Sequence, residues 1–223
     1  MAEKYGTVPK KFTKEWWSWY WMYYKVHTLA TLFALVVIGS CIYTSLTAEK
    51  FDATLTYAGK AYIPDSYREK VEELISPLCE DLDGNGESNL YFSHLDIDFD
   101  SKDVEYIQAN SLKLNMSIGE EETYIFLLDK SIADMYKGES AEDIAYAPIE
   151  DWVSGDISKY KTYDAHGKAY GIDVSDLAIF KEAGLDKAEL YLFVRYYPRK
   201  DQVKKHLEGY EASIRLANKI LEK

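Results

Sequence analysis

The sequence predicts an α/β protein: an N-terminal transmembrane helix followed by a single three-layer α/β domain on a mainly parallel, mixed five-stranded sheet. Three observations point there. Residues 28–48 hold no charged side chain, and a helix needs about 20 mostly apolar residues to cross the hydrocarbon core. Beyond residue 50, segments of strand character alternate with segments of helical period, the order that builds a parallel sheet covered by helices. Charge divides at the same place. Residues 1–50 carry six Lys against three acids, whereas residues 51–223 carry 20 Lys and Arg against 35 Asp and Glu, a balance of −15.

The first element is the span. Leu29, Leu32, Phe33, Leu35, Val36, Val37, Ile38, Ile42 and Leu46 carry it. Trp16, Trp17, Trp19, Tyr20, Trp21, Tyr23 and Tyr24 precede it directly, and rings with one polar tip favour the headgroup layer. Lys10, Lys11, Lys14 and Lys25 flank the rings. Lysines stay on the cytoplasmic side, so residues 1–27 are expected in the cytoplasm, with an interfacial helix from about Thr13. Residues 28–48 then cross the membrane and residues 51–223 lie outside. A cleaved signal peptide fits poorly, because Leu46 would stand three residues before the cut at Ala48. A lipoprotein anchor at Cys41 is the other alternative, since Ile38-Gly39-Ser40-Cys41 loosely matches a lipidation box. Cys41 and Cys79 fall on opposite sides of the boundary, so no internal disulfide is expected, and no CxxC or Cys/His cluster suggests zinc.

In the external part, FDATLTYAG (51–59) alternates and reads as an interior first strand. A helix follows, with Ser66 and Glu69 as a capping box and Tyr67, Val71, Leu74 and Leu78 on one face. Pro77 ends it. The second strand places Leu95, Ile97 and Phe99 on one face and Asp96, Asp98 and Asp100 on the other, which marks an edge strand. Residues 101–119 form a helix closed by Gly119. ETYIFLLD is a continuous apolar run and reads as a buried central strand. Residues 131–136 form a short helix. Residues 146–163 are irregular, with Trp152 plugging the core. KAYGIDV and AELYLFVRYYP supply the fourth and fifth strands around the helix LAIFKEAG. The last helix starts near Asp201 and buries Val203, Leu207, Tyr210, Ile214, Ala217 and Leu221, spaced alternately four and three.

The most specific motif is DLDGNGESN at residues 81–89. Asp81, Asp83 and Asn85 occupy the first, third and fifth positions of an EF-hand loop, with Gly86 at the sixth, Glu87 at the seventh and Asn89 at the ninth. Ca²⁺ takes six to eight oxygens, and this alternation turns them toward one centre. The twelfth position should be a bidentate Glu but is Phe92, so an oxygen must come from elsewhere, with Glu80, Asn89 and Asp96 as candidates. The alternative is a Gly-rich turn with solvated Asp side chains. A second surface follows from the rule that ligands of parallel sheets sit beyond the carboxyl ends of the strands. It comprises Lys60, Tyr62, Asp129, Lys130 and Ser131, with Tyr62 either exposed for contact or packed on its own helix. The sequence contains no convincing catalytic constellation. The acidic balance disfavours nucleic acid.

Taken together, YYKVHT before the span, TYAGKAYIPDSYREKVEELISPLCEDLDGNGE and YIFLLDKSIADMY resemble uncharacterised single-pass proteins of Gram-positive bacteria. With three β-α units and the late segment KAYGIDVSDLAIF, the external part resembles one lobe of a type II extracellular solute-binding protein. That resemblance implies ligand capture between two lobes. Residues 129–168 are too few for a second lobe beside the roughly 100 residues of a typical domain. The expected function is therefore a membrane-anchored extracytoplasmic binding or interaction protein, non-enzymatic and calcium-stabilised, whose partner is a protein of the cell envelope. The alternatives are an accessory subunit of a membrane transport or envelope complex, and a carboxylate-dependent hydrolase.

Overall fold

The computed structural model describes residues 8–47, 50–119, 123–185, 189–196 and 207–223. The chain divides into two compact units, Met1–Lys50 and Phe51–Lys223.

Among the described residues the first unit is one helix, α1 (Lys14–Thr47). Thr13 caps it, its Oγ1 accepting the Trp16 N–H at 3.2 Å, which satisfies one of the open donors of the first turn. A ladder of rings climbs one face at four-residue spacing: Phe12, Trp16, Tyr20 and Tyr24, with centroids 5.3 to 5.5 Å apart. No residue breaks the helix between this aromatic turn and the apolar run, so the expected interfacial helix and the span are one element. At 1.5 Å per residue its 34 residues reach roughly 51 Å, longer than the hydrocarbon core alone. Leu29, Leu32, Phe33, Leu35, Val36, Val37, Ile38 and Ile42 are all exposed. A helix whose apolar side chains are exposed among the described residues is compatible with a membrane anchor or a signal sequence.

The second unit holds β1 (Ala53–Gly59), α2 (Asp65–Ile75), β2 (Leu90–Asp96), α3 (Val104–Gly119), β3 (Ile125–Leu128) and α4 (Lys130–Met135). These are followed by β4 (Thr162–Ala165), β5 (Lys168–Asp173), α5 (Ala178–Glu182), β6 (Tyr191–Val194) and α6 (Leu207–Leu221). One sheet of six strands runs in the order β2-β1-β3-β6-β5-β4. The pairs β1/β2 and β1/β3 are parallel, and β3/β6, β5/β6 and β4/β5 are antiparallel. The expectation of five mainly parallel strands is corrected on both counts. The missed strand is β4, whose first two residues, Thr162 and Tyr163, lay at the end of the stretch read as irregular. His166 and Gly167 join β4 to β5 with φ of 48° and 77°, a two-residue turn of positive φ that brings the chain straight back antiparallel.

The strands place alternate side chains in two buried clusters. Leu55, Tyr57, Leu127 and Leu192 meet Val71 and Ile75 of α2, Ile179 and Phe180 of α5, Leu216 and Ile220 of α6, and the plug Trp152. Ala58, Phe126, Leu128 and Phe193 meet Leu114 of α3 and Ile132 of α4. All four residues of β3 are buried, as its apolar run requires.

Three local expectations change. The α2 cap is Pro64, not Ser66, and makes no side-chain cap bond. Phe99 and its flanking Asp98 and Asp100 lie past the end of β2, and Phe99 is half exposed. The buried face of α6 is Ala212, Ser213, Leu216, Ala217, Ile220 and Leu221, with Tyr210 and Ile214 at its margin. Asp201 and Val203 lie outside the described residues.

β2 is an edge strand, as its acids indicated. Two of its outward N–H groups are taken up by side chains: Leu90 donates to Ser76 Oγ and Phe92 to Glu72 Oε1, both at 3.0 Å. The side chains of α2 and of the turn after it therefore cover the first half of the ladder that another strand would otherwise extend.

Candidate functional site

The loop after α2 is pinned before it turns. Arg215 of α6 grips Glu80 through Nε and Nη2 at 2.8 and 2.7 Å, and Lys219 Nζ donates to Leu78 O at 2.8 Å. Glu80 is thereby paired with α6. The loop then winds around Asp81. Its Oδ1 accepts the Gly84 N–H at 2.7 Å and its Oδ2 the Gly86 N–H at 2.8 Å. Gly84 and Gly86 stand at φ +71° and +87°, values that favour glycine. Above all the Gly86 N–H, with those of Gly84 and Asn85, holds the Asp81 carboxyl below the usual carboxylate range. Asp83 accepts the Asn85 N–H at 3.0 Å.

The carboxylate that joins them is Asp52, just before β1. Asp52, Asp81 and Asp83 each bring an oxygen within 4.8 Å of the other two. Asp52 also spans the loop, accepting the Leu82 N–H at 2.8 Å and the Asn89 N–H at 2.9 Å. Of the residues chosen from the motif, Asp81 and Asp83 come together. Asn85 turns its Oδ1 to the Glu87 N–H at 2.7 Å, and Asn89 meets the cluster through its backbone N–H. Glu87 stays in solvent. Asp96 is at the other end of β2 from the loop. Asp52 carries no motif of its own. Its signal lies in the topology: parallel pairing sets Ala53 against Leu90, so an acid preceding β1 falls beside the loop preceding β2. Three converging carboxylates are a hard-oxygen set that could hold a metal ion.

The carboxyl ends of β1 and β3 are adjacent, and there the second set of candidates is divided. Asp129 is buried, not a surface group. Its Oδ2 accepts the Lys60 N–H at 2.7 Å, and the Tyr57 hydroxyl, which accepts the Ala61 N–H at 3.0 Å, lies 3.5 Å from Oδ1. The carboxylate fits because Gly59 has no side chain; a Cβ there would collide with it. Burial pushes the Asp129 carboxyl above its ordinary value, against the pull of the Lys60 N–H. Burial likewise raises Asp96. Lys60 sends its ammonium to Asp100 at 2.6 Å and Asp98 at 3.8 Å. Tyr62 is 75% exposed rather than packed on its own helix. Lys130 and Ser131 are exposed on the first turn of α4.

Fold and site together define a class: a mixed six-stranded α/β domain behind an apolar N-terminal helix, with an acidic loop at one end of the sheet. Comparison with known proteins places it no further, since no family model, curated protein or solved structure matches the chain.

Proposed function

We propose that this chain is a membrane-anchored, extracytoplasmic binding or interaction protein, non-enzymatic, whose external domain is stabilised by Ca²⁺ at Asp52, Asp81 and Asp83. The observation that carries the metal reading is Asp52, which supplies from outside the loop an acidic oxygen of the kind the motif lacks at Phe92. The anchor reading rests on α1, long and apolar enough to cross a membrane, and the lysines before the span favour an N-in, C-out orientation. The two buried clusters, one with α2, α5 and α6 and the other with α3 and α4, support a three-layer reading of the domain. Three β-α units followed by β5 and α5 are the order implied by the resemblance to one solute-binding lobe. A single lobe encloses little of a small solute, so the partner we favour is a protein of the envelope. The exposed Tyr62 beside Lys130 and Ser131 offers it a contact.

Calcium is tested on the full chain in detergent. A ligand that binds only the folded state adds about 2.7 kcal/mol at a hundredfold excess over Kd. Millimolar Ca²⁺ should raise the melting temperature of the external domain, and Asp52→Ala or Asp83→Ala should remove the rise. Superimposable melting curves in Ca²⁺ and in chelator would reduce the loop to a turn.

A further inference from the structure

We propose that the outer face of α3 is the contact surface of a symmetric dimer of this chain. This helix is unlike its neighbours. Of its 16 residues only Asn110 and Leu114 are buried, whereas α6, with 15, buries six. Val104 is 58%, Leu112 61% and Met116 56% exposed. Beside them Phe99 walls a groove of about 440 Å³ that also runs along Gln108 and Ser111. In a domain with a balance of −15, α3 carries one acid, Glu105, and one base, Lys113, and neither has an ion-pair partner among the described residues. Apolar surface left open on a charged domain marks an interaction site.

The charge pattern selects the partner. Residues four apart form rows along a helix. Two adjacent rows of α3 are exposed: Val104, Gln108, Leu112 and Met116, and Glu105, Ala109 and Lys113. The second row has its small residue at the centre, an acid one turn before it and a base one turn after. A two-fold axis through Ala109 sets Glu105 of each copy against Lys113 of the other, making the same ion pair twice, as an isologous contact requires. Ala109 lets the two helices approach to the 8–10 Å of interlocking four-residue rows, which brings Leu112 and Met116 of each copy toward the partner. The negative charge elsewhere on the domain does not forbid this, because exposed charges are screened beyond about 8 Å at physiological salt. A bilayer surface is disfavoured as the occupant: the face offers a single lysine already balanced by Glu105, amid an acidic domain. Anchorage of both copies in one membrane raises their local concentration.

The test uses the full chain in membranes, with Cys41→Ser as background; Cys79 is buried and its thiol is pushed up to about 12, chiefly by desolvation. Under mild oxidation Ala109→Cys should give a disulfide-linked band of twice the chain mass. Glu182→Cys, an exposed position on α5, serves as the reference and should give little. Added to Ala109→Cys, Glu105→Lys and Lys113→Glu should each cut the linked fraction severalfold, and together they should restore it, because the ion pairs re-form with signs exchanged. Linking at Ala109→Cys no greater than at Glu182→Cys would overturn the proposal. So would failure of the double exchange to restore it, or linkage to a protein of another mass.

Discussion

Gly59 and Asp129 show how one missing side chain decides a buried charge. The Asp129 carboxylate occupies the space a Cβ at residue 59 would fill, and from there it holds the Lys60 N–H. Gly59→Ala should therefore cost about 1–3 kcal/mol, the usual price of overpacking a filled core, and Asp129→Ala should relieve part of it in the double variant. Thermal melts of the three variants check the coupling. The same carboxyl makes stability depend on pH. Its folded value is raised, mainly by burial, so between the ordinary carboxylate range and that raised value the folded state binds more protons than the unfolded one. Stability then falls as pH rises through this window and recovers as pH drops. Asp129→Asn keeps an acceptor for the Lys60 N–H without the charge. It should flatten the Asp129 part of that slope and leave the melting temperature at neutral pH unchanged or higher. A steeper loss of stability at neutral pH in Asp129→Asn would show that the ionised form is the one the fold favours. At this scale much was legible beforehand: Asp81 and Asp83 follow from spacing alone. The burial of Asp129 was not, because it depends on a glycine 70 residues away in the chain.

Elements depend on how their exposed backbone is covered. The edge of β2 has two outward N–H groups satisfied by α2 and its terminal turn, through Glu72 and Ser76, and Arg68 at 3.3 Å holds Glu72 in place. Glu72→Ala leaves the Phe92 N–H without its acceptor, a loss of about 1–3 kcal/mol for a buried donor. It also reopens the strand to edge pairing. A lower melting temperature together with increased light scattering at high protein concentration is expected; Glu72→Gln, which keeps an acceptor, should scatter less. Equal behaviour of the two variants would mean that charge, not edge covering, is what Glu72 contributes. The alternation in the sequence was enough to place β2 at an edge. The bond that protects it joins residues 20 apart and has no local signature.

For the whole molecule, the division of charge and hydropathy at residue 50 sets the expected topology. Protease added to intact cells should remove the acidic domain and leave a membrane-held fragment of residues near 1–50; a C-terminal tag that stays protected would reverse the orientation. Cys41→Ser should leave anchoring and size unchanged, and loss of fatty-acid labelling in that variant would instead establish a lipid anchor. What the sequence by itself determined is whatever rests on neighbours along the chain: the apolar run of α1, the alternation of β1 and β2, the buried run of β3, the helical period of α3 and the oxygen spacing of residues 81–85. Side-chain periodicity is a property of contiguous residues, so these features can be read without a fold. Only the tertiary structure decided the sixth strand, the antiparallel half of the sheet, the inner face of α6, the burial of Asp129 and the arrival of Asp52 at the acidic loop. Each depends on which distant segments lie side by side, and that is set by the packing of two cores against one sheet, not by any pattern within a single segment.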